Sequence, residues 1–452
     1  MNEKFTKIGF ILAVAGSAVG LGNAWKFPTL VGENGGSAFI LLYLLLTMLC
    51  SFVIFLGEIV IGRLGECDAV SAYEKLAPSN KKLWRNAGFF MISALLIYSF
   101  YSVVMGWILK YTITSAFALP SSIEQSGAAF GNLLSQEIFI SIICYTIASI
   151  FCFFIISKGV KNGIEKLNLW MMPALFVLIL FMAFYSAVAS NAGFVQSLKF
   201  LLVPDFSALS SDSVLKALGL AFFTLSLGVT TIITYAASLP PKTNILTSSL
   251  SIVFINVLIG VFMGLTVFTY IFEFGADPSQ QGPGLIFVSL TVLFGKLGII
   301  GNILAFCFFL SLLFAAITSA VSMIEPSVFY LVNSKNFSRK KACFAIFIFT
   351  YILGIFCILG YYGATADIFN FFGKSFFDLL DFVTSNILLP IGGIVVAIFV
   401  GFVIKKEPIK ELLVPYMGEF GYKIWHNVLL RFVAPLFVII ILLDQFGIKI
   451  LG

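Results

Sequence analysis

The chain reads as an all-α integral membrane bundle made of two inverted repeats, spans 1–5 and 6–10, with an eleventh helix appended. Three observations predict this. Its 452 residues are 60% hydrophobic, 16% aromatic and only 11% charged, with a mean hydropathy of +1.06, whereas a soluble chain carries roughly 25% charged residues. Eleven apolar runs are each long enough to cross a bilayer, which takes about 20 residues. The first and sixth runs are interrupted, and paired interruptions five spans apart point to an inverted repeat with a binding site between its halves.

The first run, about 7–29, follows Lys4 and Lys7 without a small-residue cleavage site, so it reads as a retained helix and not a signal peptide. Three glycines and a serine interrupt it at Gly16-Ser17-Ala18-Val19-Gly20-Leu21-Gly22-Asn23. Irregular backbone at membrane depth is tolerated only where it is buried in protein or lines a cavity. Freed carbonyls beside Asn23 suit a small hard cation, so a binding site is expected here. Spans at about 36–65, 84–118, 137–157 and 164–189 complete the first repeat, about 7–189. The connection 119–136 is polar and lacks Lys and Arg, as an exported loop should; short amphipathic pieces are expected at 67–78 and 196–211. The sixth run, 213–239, breaks between Phe222 and Thr231. Spans at 244–273, 297–332, 341–361 and 367–403 close the second repeat, about 213–403, and 424–447 is the extra helix. The whole, 1–452, reads as one domain without a soluble appendage.

A net charge of +6 could suggest an acidic partner such as nucleic acid. The distribution argues against it, because the basic residues cluster in alternate loops, as membrane insertion requires. Lys26, Lys110, Lys199, Lys216, Lys296, Lys374 and Lys449 are the seven of 27 that fall on the depleted side. The N-terminus is therefore expected inside and, with an odd span count, the C-terminus outside. The seven cysteines show no metal-ligand spacing and are expected as free thiols. His426 has no Cys, Asp or Glu at ligand spacing and is assigned no chemistry. A membrane-embedded enzyme would need a nucleophile and base, or a metal cluster, and the chain offers neither.

The first break runs on into Trp25-Lys26-Phe27-Pro28. With it go AFFTLSLGVTTIITYA at 221–236, FAAITSAVSMIEP at 314–326, ENGGSAF at 33–39 and Tyr101 six residues before Trp107. Together these stretches resemble the neurotransmitter:sodium symporter family, the LeuT-like transporters, over nearly the whole chain. The resemblance implies two sodium sites. The first would use the Ala18 carbonyl, the side chains of Asn23 and Asn256, Thr224 and the substrate's own carboxylate. The second would use the carbonyls of Gly16, Val19 and Ala315 with the hydroxyls of Thr318 and Ser319. Neutral oxygens fit a monovalent cation, whereas a divalent one would want several carboxylates.

The same resemblance places a ligand among Ser17, Ala18, Gly20, Leu21, Gly22, Ile97, Tyr101, Phe223, Thr224, Ser226, Val229, Ser319 and Met323. Half-helix N-termini carry about +0.5 charge, which would hold a carboxylate without a buried arginine. Monoamine members of the family have an aspartate at the Gly20 position, to pair with a substrate that lacks a carboxylate. With glycine there, the ligand is expected to be an amino acid, and Val229 and Met323 suit a large hydrophobic or aromatic side chain; a small neutral amino acid is the alternative. A channel is disfavoured because Phe223 and Tyr101 would lid the pocket.

Further roles follow from the resemblance. Lys26 and Asp381 would form the outer gate, with Asp378 one turn earlier, and lysine lacks the bidentate fork of the usual arginine. Glu58 would brace the broken sixth helix through a structural hydrogen bond, and Glu325 is expected to make a structural bond of the same kind. The inner-gate positions fall on Met1 and Asn333, so that salt bridge is missing, with Lys4 or Lys7 free to take over. The chloride positions of animal members fall on Tyr43, Leu220, Thr224 and Gly260, of which Leu220 and Gly260 supply no ligand, so no tight chloride site is expected. Gly163 and Pro173 match a hinge motif of some bacterial members. The expected partners are an amino-acid substrate and the bilayer of an inner (plasma) membrane, with neither nucleic acid nor an obligate protein partner.

Overall fold

The computed structural model describes residues 4–240, 243–278, 284–445 and 448. Among these, nine helices are long and apolar enough to cross a membrane: Ser37–Gly65, Lys81–Ser115, Ile138–Ser157, Val160–Ala189, Ile245–Glu273, Ile299–Lys335, Arg339–Leu359, Phe376–Val403 and Lys406–Gln445. The first span is a bent pair, Lys7–Ala18 and Gly22–Glu33, at 57° to each other. The sixth comprises Ser211–Thr224 and Thr231–Ala237 on either side of a six-residue break. The nine helices and the bent pair stand for ten of the eleven expected spans, and the two shorter helices occupy the place of the expected sixth.

The outer helices show why the bundle belongs in lipid. Along Ile138–Ser157, Phe139, Ile143, Ile147, Ile150 and Phe154 are all exposed. They recur every three or four residues, so they form one apolar stripe facing away from the core. The opposite face, with Tyr145, Ala148 and Cys152, is buried. The two broken spans instead sit in the interior: Phe10, Ala13, Val14, Leu220, Ala221, Ile232 and Ile233 are all buried.

Four boundaries differ from expectation. The tenth span begins at Phe376 and not at 367, because Asn370–Phe371 pairs antiparallel with Lys374–Ser375 and the chain reverses at Phe372 and Gly373, both at positive φ. Ser375 then caps the helix by accepting from the Asp378 N–H. The polar connection 119–136 holds a helix, Ile123–Ser135, capped by Ser122. Helical turns at Leu285–Ser289 and Leu290–Gly295 cover the chain before the eighth span. The last span is preceded by Lys406–Lys423, bent at Gly418 (φ 71). Of the two amphipathic pieces, Ala69–Leu76 lies within 67–78, while Asn191–Leu202 starts earlier and ends sooner than 196–211. All seven cysteines are unpaired. Lys449 and the end of the 424–447 run lie outside the described residues.

Candidate functional site

The first break is short. Helix ends at Ala18, Val19 leaves helical geometry at ψ 87, and a π-helical turn resumes at Gly22–Lys26. The sixth-span break is wider and more strained. Ser226 (φ 52) and Thr230 (φ 62) both adopt left-handed backbone, which for a β-branched threonine is an outlier. Such conformations persist only where surrounding contacts over-determine them, and they gather at functional sites. Gly228 (φ 77) lies so close to the tenth span that a Cβ on it would meet the Leu389 carbonyl oxygen at 2.3 Å. Its N–H donates to Glu58 Oε1 at 2.7 Å, so Glu58 does brace this break.

The two breaks are tied to each other and to the eighth span. The hydroxyls of Ser226 and Ser319 both donate to the Ser17 carbonyl, at 3.0 and 3.1 Å. Ser322 Oγ donates to Ser17 Oγ at 2.7 Å. The Leu21 N–H donates to the Tyr101 hydroxyl at 3.2 Å. Between them lies a cavity of ≈ 30 Å³, lined by all thirteen residues expected around a ligand and by Leu389 of the tenth span. No ionisable carboxyl or amine lines it. A Cβ on Gly20 would stand 2.9 Å from both Ser319 Oγ and Tyr101 OH.

Some of the residues assigned to cations also come together. Asn23 Nδ2 donates to the Asn256 carbonyl and to Asn256 Oδ1, both at 2.8 Å. Asn23 Oδ1 accepts nothing although the residue is 2% exposed. A buried acceptor without a donor costs about 1–3 kcal/mol, and a cation there would satisfy it. Thr224 Oγ1 lies 3.0 Å from the Tyr43 hydroxyl. In the second set, Thr318 Oγ1 donates back to Phe314 O (3.0 Å) and Ala315 O (3.1 Å). A donating hydroxyl keeps its lone pairs, so this back-bonding is compatible with cation binding. Thr318 Cβ would lie 3.1 Å from a Cβ on Gly16, which brings the first and eighth spans together here. Among the described residues, no cluster of three or more His, Cys, Asp or Glu could hold a metal. The oxygens present are neutral, as suits a monovalent ion.

On one side the cavity is closed by Phe223, with Lys26 Nζ 3.9 Å from its ring centroid and 3.9 Å from Asp381 Oδ1. The ion pair was legible in the sequence; its stacking on the lid was not. Beyond it opens a vestibule of ≈ 440 Å³ walled by Trp25, Trp107, Phe130, Tyr361 and Phe377. Asp378 takes no part in the pair, since it accepts from Tyr361 OH and caps its own helix through Ser375. On the opposite side Lys4 Nζ reaches Glu66 Oε1 at 3.3 Å, and the Phe5 N–H donates to Ser238 O at 3.1 Å. Asn333 Nδ2 is held by Asp68 Oδ2 at 2.6 Å; Met1 lies outside the described residues. Glu325 makes the structural bond expected of it, with Arg339 at the start of the ninth span. At the Gly260 position the Phe27 ring fills the space, 3.4 Å from where a Cβ would be. The fifth span is helical from a π-turn at Val160–Glu165 through Pro173, so Gly163 and Pro173 flank unbroken helix. His426 is buried and stacked on Tyr422.

A bundle with two interior broken helices, a small cavity between them and an unsatisfied neutral oxygen beside it is the construction of an ion-coupled secondary transporter. The chain belongs to the sodium:neurotransmitter symporter family, whose family model matches residues 2–125 and 121–449. It is 38% identical to an uncharacterized sodium-dependent transporter, YhdH, of Bacillus subtilis, over 98% of this chain and 97% of that one. A sodium-dependent transporter of Haemophilus influenzae is 33% identical over 97% of each. The crystal structure of MhsT in complex with L-phenylalanine superposes with a TM-score of 0.87 at 36% identity, covering 99% of this chain and 100% of that one. The protein is accordingly a sodium-dependent, multi-pass membrane transporter and not an enzyme.

Proposed function

We propose that the protein imports a hydrophobic or aromatic L-amino acid together with sodium, by alternating access. The observation that carries this reading is the lining of the cavity between the two breaks. Its lining combines polar groups, the Tyr101 hydroxyl bonded to the Leu21 N–H and the hydroxyls of Ser226 and Ser319, with the apolar side chains of Ile97, Val229, Met323 and Phe223. A zwitterion fits such a site carboxylate-first, since half-helix N-termini favour negative charge. The solved relative MhsT was crystallised with L-phenylalanine, which supports the aromatic class over small neutral amino acids.

Two sodium ions accompany the substrate in this reading. Asn23, Asn256, Thr224 and the Ala18 carbonyl hold the first, completed by the substrate carboxylate. Gly16, Val19, Ala315, Thr318 and Ser319 hold the second. Because the first ion and the substrate share a ligand, each requires the other. Chloride is not bound tightly, since Leu220 offers no ligand and Phe27 fills the space beside Gly260. Lys26 and Asp381 close the outer side, Gly163 and Pro173 flex the inner side, and the N-terminus faces the cytoplasm of a bacterial-type inner membrane. The test is a binding screen of the twenty L-amino acids in sodium and again in potassium. Tight binding of Trp, Tyr, Phe or Leu in sodium alone is the expected result. Equal binding in both salts sinks the coupling, and preference for Gly or Ala sinks the pocket assignment.

A further inference from the structure

The ligand cavity has a neighbour. A second cavity of ≈ 250 Å³ lies among Gly22–Glu33, Ser211–Thr224, the tenth span and the last, and the two cavities share two lining residues, Phe223 and Leu389. Phe223 is the half-buried lid beneath Lys26, and in the proposed mechanism it moves when a ligand passes. Leu389 is 3% exposed, and its backbone is pinned. A Cβ on Gly228 would run into the Leu389 carbonyl oxygen, and one on Gly392 into the Gly228 carbonyl oxygen; one on Gly393 would stand 2.7 Å from the Phe222 ring. The chain from Leu389 to Gly393 therefore lies directly on the sixth-span break. Leu389 also opens the helix Leu389–Ile398 straight after a π-helical turn, with Pro390 fixing the next φ. Its side chain cannot swing aside without shifting the break itself.

A side chain that stands between two cavities, on backbone that does not yield, limits what the smaller one can hold. Packed interiors respond to a single methylene, and an apolar pocket discriminates by about 10- to 200-fold per methylene. We propose that Leu389 is the partition that sets the length limit of the substrate side chain, by closing the ligand cavity against the second one. This rests on the hydrophobic amino-acid reading given above. Behind the partition Leu220, Phe222, Pro390 and Ile441 offer apolar surface, and the charges of Asp212 and Lys216 pair with each other at 3.0 Å. Truncating Leu389 therefore joins the two cavities and gives a longer apolar side chain room to extend.

The experiment measures sodium-dependent binding of four ligands to full-length protein in lipid nanodiscs: L-leucine, L-phenylalanine, L-homophenylalanine and the next homologue, L-2-amino-5-phenylpentanoate. The readout is the ratio of affinities within one variant, which a general loss of stability leaves unchanged. The parent is expected to bind both homologues about 10- to 200-fold more weakly than the better of leucine and phenylalanine. In Leu389→Ala this gap shrinks about tenfold or more for both homologues. Ile97→Ala, which enlarges the ligand cavity without bordering the second, helps at most the shorter one. Leu389→Val, a milder truncation, narrows the gap in the same direction and is read in place of the alanine variant if that variant does not fold. A parent without the gap overturns the proposal. So does a gap unchanged by truncating Leu389, or one that Ile97→Ala closes equally for both homologues. A parent that binds none of the four in sodium overturns instead the amino-acid reading on which the partition rests.

Discussion

Gly20 has two consequences at the residue scale. In the sequence it is a glycine where monoamine carriers have an aspartate; in the structure it is also the point where Tyr101 OH and Ser319 Oγ close on the backbone, each 2.9 Å from a would-be Cβ. Gly20→Ala is expected to weaken amino-acid binding by displacing those two hydroxyls, and Gly20→Asp to abolish it without creating amine binding; isotherms for the amino acid and its decarboxylated amine check both. Tyr101→Phe deletes the acceptor of the Leu21 N–H and, in the proposed complex, a donor to the carboxylate. A hydrogen bond to a charged group contributes about 1.5–3 kcal/mol, so affinity should fall roughly 10- to 150-fold while the apolar preference is kept. Substitution by Phe with unchanged affinity would remove Tyr101 from the carboxylate. Nine of the thirteen lining residues sit in dense motifs around the two breaks, while Ile97 and Tyr101 of the third span and Ser319 and Met323 of the eighth were legible only through the resemblance to the family. Leu389 was not, since one more leucine in an apolar tenth span carries no mark of facing inward.

At the scale of elements, polar groups inside the bundle decide which helices stay together. Glu325, on the eighth span with its side chain 1% exposed, pairs with Arg339 at the head of the ninth, and Arg339 Nε also donates to Ile156 O at the end of the fourth. Removing one partner of a buried pair costs about 3–5 kcal/mol, because it strands the other charge, whereas replacing both with apolar groups is often neutral. Arg339→Leu should therefore lower the melting temperature sharply in detergent, and Arg339→Leu with Glu325→Leu should recover most of the loss. If the double variant melts no higher than the single one, the pair is doing more than satisfying itself. The helices were easily read from apolar runs; their ends were not. Residues 367–375 contain Ile368, Phe369, Phe371 and Phe372 and pass as membrane helix until positive φ at Phe372 and Gly373 turns the chain into a hairpin. Ile123–Ser135 is the converse case, a helix whose polar composition looks like a loop but which Ser122 caps and whose Ser126 bonds to Thr291.

For the whole molecule, closure and coupling must be weighed together. The Lys26–Asp381 pair is partly exposed, with side chains 30% and 37% accessible, so it contributes about 0–1 kcal/mol, and the stacking of Lys26 on Phe223 adds about 0.5–1 kcal/mol. In the proposed mechanism these two contacts form the outer gate, and contacts this weak are within reach of what ligand binding can shift. What shifts it, in the proposed mechanism, is the first sodium ion and the substrate carboxylate meeting at the break between Asn23 and Thr224. Thermodynamic linkage then demands reciprocity: if saturating sodium raises amino-acid affinity by some factor, saturating amino acid must raise sodium affinity by the same factor. A shared ligand of this kind is expected to give a coupling of about 1–3 kcal/mol, 5- to 150-fold. Paired titrations, amino acid at fixed sodium and sodium at fixed amino acid, should return equal factors. Thermal stability should rise more with both ligands than the sum of the rises with each, because binding to the folded state stabilises it by mass action. Asn23→Ala, which removes the unsatisfied Oδ1, should bring the coupling factor toward one while leaving sodium binding at the second set. A coupling that survives Asn23→Ala would mean that ion and solute communicate through the helices and not through a shared oxygen.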